Sequence, residues 1–397
     1  MTQKTTNPKR PDTVFGAVRQ ARSRKPIDDR ALRDAIEDFE YCRAGKQALE
    51  NRIVEDELWY KRRHWEVMRT NRRFRGAEPT SAWLFNTLMN KHADAADYYP
   101  RAAVLPREAA DSDSARALGE ILPVIMERCD FEQTYSDNWW EKLKHGTAAY
   151  GVFWNSRREQ GLGDVDIRMI DLQSLYWEPG VRDIQKSRYL FHTELRDKDL
   201  LEEEYPQLRG KLKAQTFLDT KFLYDDHVDT ENKVTVIEVY YHKHINGKKT
   251  LQYCKYVNDV VLYATENDDT PGVDMMGMAK PAPAEAGLYD HGRYPYVFDV
   301  LYPIEGSPCG YGYIDICRNP QTVIDLLNTS FVKNAMVGAV PRYFRRQDGG
   351  VNAEQFLDLS QPLVDVTGNI DESALRRIEH DTLDANYIAV LDRTIQE

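Results

Sequence analysis

Residues 308–331 read PCGYGYIDICRNPQTVIDLLNTSF: a turn of glycines and aromatics that runs into a segment with helical periodicity. Either Cys309 is a reactive thiol in a tight turn, or the turn is a hinge-like lead-in to a helix that meets other copies of the chain. A nucleophilic thiol needs a lowered pKa and a histidine base near it in space. No thiol-enzyme signature surrounds Cys309, so a packed turn cysteine is the plainer reading. From Ile314 to Val340, Ile314, Ile316, Val323, Ile324, Leu326, Leu327, Phe331 and Val332 predict one helix, with Pro320 near its start and Pro341 at its end. Its apolar face is broader than a single core stripe, which leaves surface for a neighbour.

Upstream the period changes twice. No proline occurs from Asp28 to Phe74, where Phe39, Cys42, Leu49, Ile53, Leu58, Trp59, Trp65 and Met68 recur at roughly helical spacing and predict one long helix or two shorter ones. Ser81 is placed to cap a helix carrying Trp83, Leu84, Leu88 and Met89, and two more helices follow, the second closed by Gly146. Strand patterns then take over. In TAAYGVFWN (147–155) and the stretch after it, Val165, Ile167 and Met169 alternate with Asp164, Asp166 and Arg168, which predicts a core face and a wet face. RYLFH (188–192) and YPYVFDVLYP (294–303) read as strands, and Asn246-Gly247 is a hairpin signal between two strand-like runs. Residues 265–287 read as a long loop. RYFRR and PLVDVTG are strand-like, and YIAVLDRTIQE (387–397) is helical without a C-terminal cap, as if the sequence stopped before the helix ended. The fold class is α+β.

Charge is unevenly placed. Residues 1–76 hold 19 Lys and Arg against 12 Asp and Glu, and the rest hold 34 against 52. Residues 1–27, with Pro8, Pro11 and Pro26, read as a flexible basic arm suited to nucleic acid or an acidic partner, while the acidic remainder disfavours tight wrapping of DNA. Five cysteines without a CxxC pair fit a reducing compartment and argue against structural zinc. No apolar run approaches the roughly 20 residues that cross a bilayer, so a soluble protein is expected. GxGxxG and GxxxxGK[ST] are both missing, which predicts no nucleotide cofactor.

Three other clusters have a chemical reading and a plainer one. Asp164, Asp166 and Asp171 could hold Mg²⁺ as in a metal-dependent nucleic-acid enzyme, but strand alternation already explains them. His242 and His244, with His227 and Asp229, could hold a metal, though a hairpin's solvent face suffices. In YKRRHWEVMRTNRRFR (60–75), Lys61, Arg62, Arg63, Arg69, Arg72 and Arg73 stand beside Trp65 and Phe74, a mix that could grip phosphates and stack bases; a solvated basic helix face is simpler.

Five segments in order, SAWLFNTLMNKHADAADYYPRAAVLPRE (81–108), KLKHGTAAYGVFWN (142–155), GLGDVDIRMIDLQSLYWEPGVRDIQKS (161–187), YDHGRYPYVFDVLYPIEGSPCGYGYIDICRNPQTVIDLLN (289–328) and DGGVNAEQF (348–356), resemble portal proteins of tailed bacteriophages and their prophages. The resemblance implies a phage portal fold. An N-terminal helical region (28–76) precedes an α/β wing (77–195) that returns at 341–397. Between them come a possible first stem segment (196–230), a β-containing clip (231–309) and a stem helix (310–340). The tunnel loop and crown of such proteins would follow the last residues. The implied function is structural and non-enzymatic, without metal or cofactor. Usually twelve subunits form a ring at one capsid vertex, packaged through by terminase and later opened for DNA ejection. Implied partners are other copies, the terminase large subunit, head-completion adaptors, capsid and scaffold proteins, and double-stranded DNA passing without sequence specificity. The place is the virion, with assembly in the host cytoplasm and no membrane. Arg318, Asp325, Phe331 and Lys333 are the candidates for stem, subunit or channel contacts. A different head-completion or connector protein is the structural alternative. An acidic body suits a conduit, since each Lys or Arg held by phosphate would hinder sliding DNA.

Overall fold

The longest helix, α1 (Asp29–Tyr60), takes its place from a stripe spaced alternately by three and four residues: Leu32, Ala35, Phe39, Cys42, Lys46, Leu49, Ile53 and Asp56. In this computed structural model the described residues are 27, 29–68, 78–212, 232–273, 279–339, 343–345, 352–357, 367, 375–377 and 385–396. A turn at Lys61–Arg63, with Arg62 at φ 60°, separates α1 from the short α2 (His64–Met68), so the predicted helical region divides into a long and a short piece. Phe74 and the predicted arm up to residue 26 lie outside the described residues. After these come α3 (Trp83–Ala96), α4 (Ser112–Arg128), α5 (Phe131–His145), β1 (Thr147–Asn155), β2 (Asp164–Ile170), β3 (Leu175–Trp177), β4 (Tyr189–Asp197) and α6 (Lys198–Glu204). Next are β5 (Lys233–Ile245), β6 (Lys248–Val257), β7 (Val260–Ala264), β8 (Gly272–Val273), β9 (Ala279–Lys280), α7 (Pro283–Ala286), β10 (Tyr296–Val300), β11 (Tyr302–Pro303) and β12 (Gly310–Tyr311). The described chain ends with α8 (Tyr313–Ala339), β13 (Tyr343–Arg345), α9 (Ala353–Leu357), β14 (Leu375–Arg377) and α10 (Ala385–Gln396).

The chain divides into two compact units, residues 1–60 with 87–316 and residues 61–86 with 317–397. In the first unit a five-stranded antiparallel sheet has the order β3-β4-β5-β6-β7, and a three-stranded sheet the order β10-β1-β2. The α1 stripe buries Leu32, Ala35, Phe39 and Cys42 against Phe191, Val239, Tyr241 and Tyr256 of the larger sheet. Intervening residues of the same strands, Leu190 and Tyr240, point to the other face. There they share a core with Ala149, Ile170 and Tyr296 of the smaller sheet, with Ile53 and with Cys309.

Three expectations change. β4 pairs with β5 from Tyr189↔Tyr241 to Asp197↔Lys233, so strands assigned separately to wing and clip share one sheet. The polar stretch that suggested a boundary lies between these two strands in sequence. Within it, α6 is seven residues long, and Leu201, Leu208 and Leu212 pack on Val234, Val236 and Val257. This is a patch docked on the sheet and not a long helix; the remainder of the predicted first stem segment, 213–230, lies outside the described residues. On β2 the pattern misleads: Ile170, in the Asp164–Asp166–Arg168 set, enters the core beside Ala149, while Met169 is 40% exposed. Helix α5 packs on β1 and β2 from the Val165–Met169 side but leaves much of that face open.

The Asn246-Gly247 turn joins β5 to β6 as predicted, with both residues at positive φ, 52° and 79°. Gly146 closes α5 at φ 78°, and a Cβ there would lie 2.2 Å from the Tyr311 carbonyl carbon, so no other residue fits without displacing backbone. In α8, helix starts at Tyr313, which places Pro320 well inside and not near the start. Its missing N–H leaves the Ile316 carbonyl without its usual helical donor. The predicted stop at Pro341 lies outside the described residues.

Candidate functional site

Helix α8 carries two contrasting sets of side chains. Within the second unit, its Cys317, Gln321, Ile324, Asp325 and Thr329 are buried, whereas Val323, Leu326, Ser330, Lys333 and Met336 are exposed, with Leu326 at 50% and Met336 at 58%. The exposed set recurs at spacings of three and four, so it forms one seam along the helix.

The buried set does the work of a cap. The backbone N–H of Ser81 donates to Asp325 Oδ1 (2.8 Å) and that of Leu84 to Gln321 Oε1 (2.9 Å). Gln321 Nε2 donates in turn to Ser81 Oγ and Asp325 Oδ1, each at 2.9 Å. Two α8 side chains thus hold the entry to α3, Asp325 by the Ser81 N–H just before it and Gln321 by the Leu84 N–H, one of those that a helix leaves unpaired. Ser81, the predicted N-cap, has its own Oγ 3.5 Å from Trp83 N and is a minor contributor. On its other oxygen Asp325 meets His64 Nδ1 at 2.6 Å, with both side chains essentially inaccessible. Asp325 is therefore an internal cap, corrected from a candidate on a channel or subunit surface: its carboxylate is fully consumed within the second unit. Of the other stem candidates, Lys333 is exposed and Arg318 and Phe331 are half-buried.

Among the basic candidates, Lys61, Arg62 and Arg63 are exposed in the turn after α1. Arg62 donates to the Thr80 carbonyl (3.0 Å), and Arg63 forms a two-point ion pair with Glu66 (2.6 and 2.8 Å). Trp65 is half-buried, and its indole N–H donates to the Pro79 carbonyl (3.2 Å). Arg69, Arg72 and Arg73 lie outside the described residues.

The densest electrostatics are in the first unit, where α1 passes α5. His145 is buried with Nδ1 3.4 Å from Asp56 and Nε2 3.3 Å from Glu57 and 3.6 Å from Glu141. Lys144 pairs with Glu57 and, at 2.9 Å, with Glu141. Burial disfavours the imidazolium, yet the hydrogen bonds it donates to Asp56 and Glu57 win and raise His145 to about 9. Burial likewise opposes ionisation of Glu57, but His145 and Lys144 hold it down to about 2. Asp56, more deeply enclosed, is raised by burial. Glu57, Glu141 and His145 are close enough to hold a cation, but the Lys144 ammonium already sits among those carboxylates and a protonated imidazole cannot ligate. The cluster is a structural junction.

Lys46 went unmarked in the sequence because a lysine reads as surface. It is 5% exposed, and its Nζ donates to the carbonyls of Leu172 (2.7 Å), Gln173 (2.9 Å) and Leu175 (2.7 Å), clamping α1 to the turn ahead of β3. Burial lowers its pKa to about 8. Its signal was register: Lys46 and Asp56 both fall on the apolar three-and-four stripe.

Among the described residues, the remaining chemical candidates are not assembled into sites. Cys309 is buried in the first unit's core, its thiol pushed up to about 11 by burial, the reverse of an activated nucleophile. Asp164 pairs with Arg128 (3.2 Å), Asp166 with Arg158 (2.8 Å), and Asp171 caps a turn by accepting from Gln173 N (2.9 Å), so each is occupied separately. His242 Nε2 contacts the Gly292 carbonyl (3.0 Å), while His244 is exposed; His227 and Asp229 lie outside the described residues.

A family model described as Phage P22-like portal protein matches residues 85–289. The chain belongs to that family. No curated protein matches it. The portal match runs from α3 past α7, taking in the five-stranded sheet and, apart from β10, the three-stranded sheet, and α8 lies beyond it. Portal membership carries a structural role in the phage, an oligomeric ring associated with the capsid, and a place at the portal vertex of the virion. The mixed helix and sheet described above agree with the expected α+β class. No helix among the described residues is long and apolar enough to cross a membrane.

Proposed function

We propose that the chain is a subunit of a portal ring, of about twelve copies as is usual for the family, that conducts double-stranded DNA without reading its sequence. Terminase drives the genome in through the channel, and head-completion adaptors later control its exit. Capsid and scaffold proteins hold the ring at its vertex. The observation that carries this reading is the portal-family match. Physical support comes from the net charge of −11, which disfavours a phosphate-gripping wall, and from α8, whose second apolar seam needs a partner. Val323, Leu326 and Met336, flanked by Arg318, Phe331 and Lys333, form the face offered to a neighbouring copy. Lys61 and the turn around it touch DNA or an acidic partner, residues 310–340 serve as the stem helix, and the one sheet β3–β7 spans the ranges assigned from the sequence to wing and clip.

Electron micrographs and light scattering of the purified chain test this. Closed rings are expected, and Val323→Asp with Leu326→Asp should disperse them into folded monomers. A chain that stays monomeric at the highest attainable concentration overturns the proposal, as does Mg²⁺-dependent DNA cleavage by the pure protein.

A further inference from the structure

Two strands outrun their neighbours in the larger sheet of the first unit. The β5–β6 ladder continues to Ile245↔Lys248, whereas β4 stops pairing with β5 at Tyr241 and β7 stops pairing with β6 at Cys254. Residues 242–251 therefore form a two-stranded ribbon that projects past the strands on both sides. The segment after α7 lies along one face of it: Leu288 N donates to the Leu251 carbonyl (2.7 Å), and His242 Nε2 meets the Gly292 carbonyl (3.0 Å). A Cβ on Gly292 would lie 3.3 Å from the Lys249 carbonyl oxygen, so loop and ribbon touch near the tip.

This tip is basic on a chain whose net charge is −11. His244 and Lys249 are opposite each other in the ladder and share a side with His242. Lys248 follows the turn, and His291 and Arg293 stand on the adjoining loop, where the Arg293 N–H donates to His291 Nδ1 (3.0 Å). His244, Lys248, Lys249, His291 and Arg293 are all exposed. Lys243, on the other side of the ribbon, pairs with Glu266, but among the described residues Lys248, Lys249 and Arg293 have no ion-pair partner. Asp290 is the one carboxylate within 242–250 and 289–293. Burial lowers the pKa of His242, the Gly292 carbonyl opposes that, and Lys249 and His244 lower it further, as nearby positive charge does.

What the tip lacks decides its ligand. No large apolar side chain in either stretch is exposed. A protein partner is recognised through an apolar core from which charge is depleted, whereas nucleic acid is held by lysine and arginine on phosphate. A two-stranded ribbon is also narrow enough to enter the major groove of a duplex. We propose that the β5–β6 tip, through Lys248, Lys249 and Arg293, binds the phosphate backbone of double-stranded DNA without regard to sequence. A few point contacts at one tip hold a duplex without lining a wall with positive charge, so a basic tip and an acidic body are compatible. The inference goes beyond the ring reading and does not need ring closure.

Fluorescence anisotropy with short labelled duplexes of two unrelated sequences tests it. The intact chain is compared with Lys248→Gln/Lys249→Gln/Arg293→Gln and with a control that loses the same charge elsewhere on the first unit, Lys91→Gln/Arg107→Gln/Arg116→Gln. At low salt the tip variant should bind both duplexes about tenfold more weakly, with a log affinity against log salt slope shallower by about 0.9 for each contact removed, while the control stays within about twofold of the intact chain. Micrographs of the tip variant should show the same assembly as the intact chain, so loss of duplex binding and loss of rings are read separately. Absence of duplex binding by the intact chain overturns the proposal, as does an equal loss in tip and control variants. Duplex binding that survives in the tip variant while binding of a Glu-rich peptide is lost also overturns it, because the tip would then serve an acidic protein.

Discussion

Where α1 passes α5 in the first unit, Asp56, Glu57, Glu141, Lys144 and His145 share two cations among three carboxylates. Beneath α8 in the second unit, one carboxylate, Asp325, is held by a backbone N–H, an amide and an imidazole. The first arrangement spreads charge over several partners, so its stability follows protonation. The second concentrates capping in one group, so it follows the presence of that group. Breaking each should therefore fail differently.

The largest loss is expected from His145→Ala, which strands buried carboxylates and should cost about 3–5 kcal/mol in urea unfolding followed by a first-unit probe. Next is pH. His145 has a folded pKa near 9 against an ordinary 6.5, so its stabilisation is complete below 6.5 and is lost as pH rises through 9, up to roughly 3 kcal/mol. Lys46, lowered to about 8, acts oppositely, adding stability as pH climbs from 8 towards its ordinary value, so the decline is cleanest between 6.5 and 8. At the acid end, Glu57 contributes above its ordinary pKa and loses that contribution as pH falls towards 2. Unfolding titrations of the intact chain and of His145→Asn should differ in slope across the neutral window; parallel curves would remove the junction's role.

Asp325→Ala should cost about 2–3 kcal/mol, because the Ser81 N–H and His64 lose a buried acceptor. The loss should appear as faster amide exchange at the start of α3 while the first unit's sheet is unaffected. The smallest effect belongs to Val323→Asp with Leu326→Asp, within about 0.5 kcal/mol in monomer stability, since both side chains are exposed. A large destabilisation there would mean that the seam is core and not a face for a neighbour.

Local chemistry made much of this legible. The Asn246-Gly247 turn, the Gly146 cap and the helical period of α1 and α8 each follow from a few adjacent residues. The long-range pairing of β4 with β5 did not show, because a polar connection looks the same whether it joins two domains or two neighbouring strands. Met169 and Ile170 exchanged roles because alternation reveals two faces but not which one meets the core shared with the larger sheet. At the site, the apolar breadth of α8 was readable, whereas the inward turn of Asp325 was not: a carboxylate on a helix reads as solvated until its partners, Ser81 and His64, arrive from far away in sequence. Lys46 and Asp56 carried a register signal that residue type concealed.

Pro320 has one more consequence. The chain leaves the first unit and joins the second between Ile316 and Cys317, and the Ile316 carbonyl is the one whose helical donor Pro320 lacks. The hydrogen-bond ladder of α8 thus has one missing rung, which makes bending the helix at that turn cheaper than elsewhere along it.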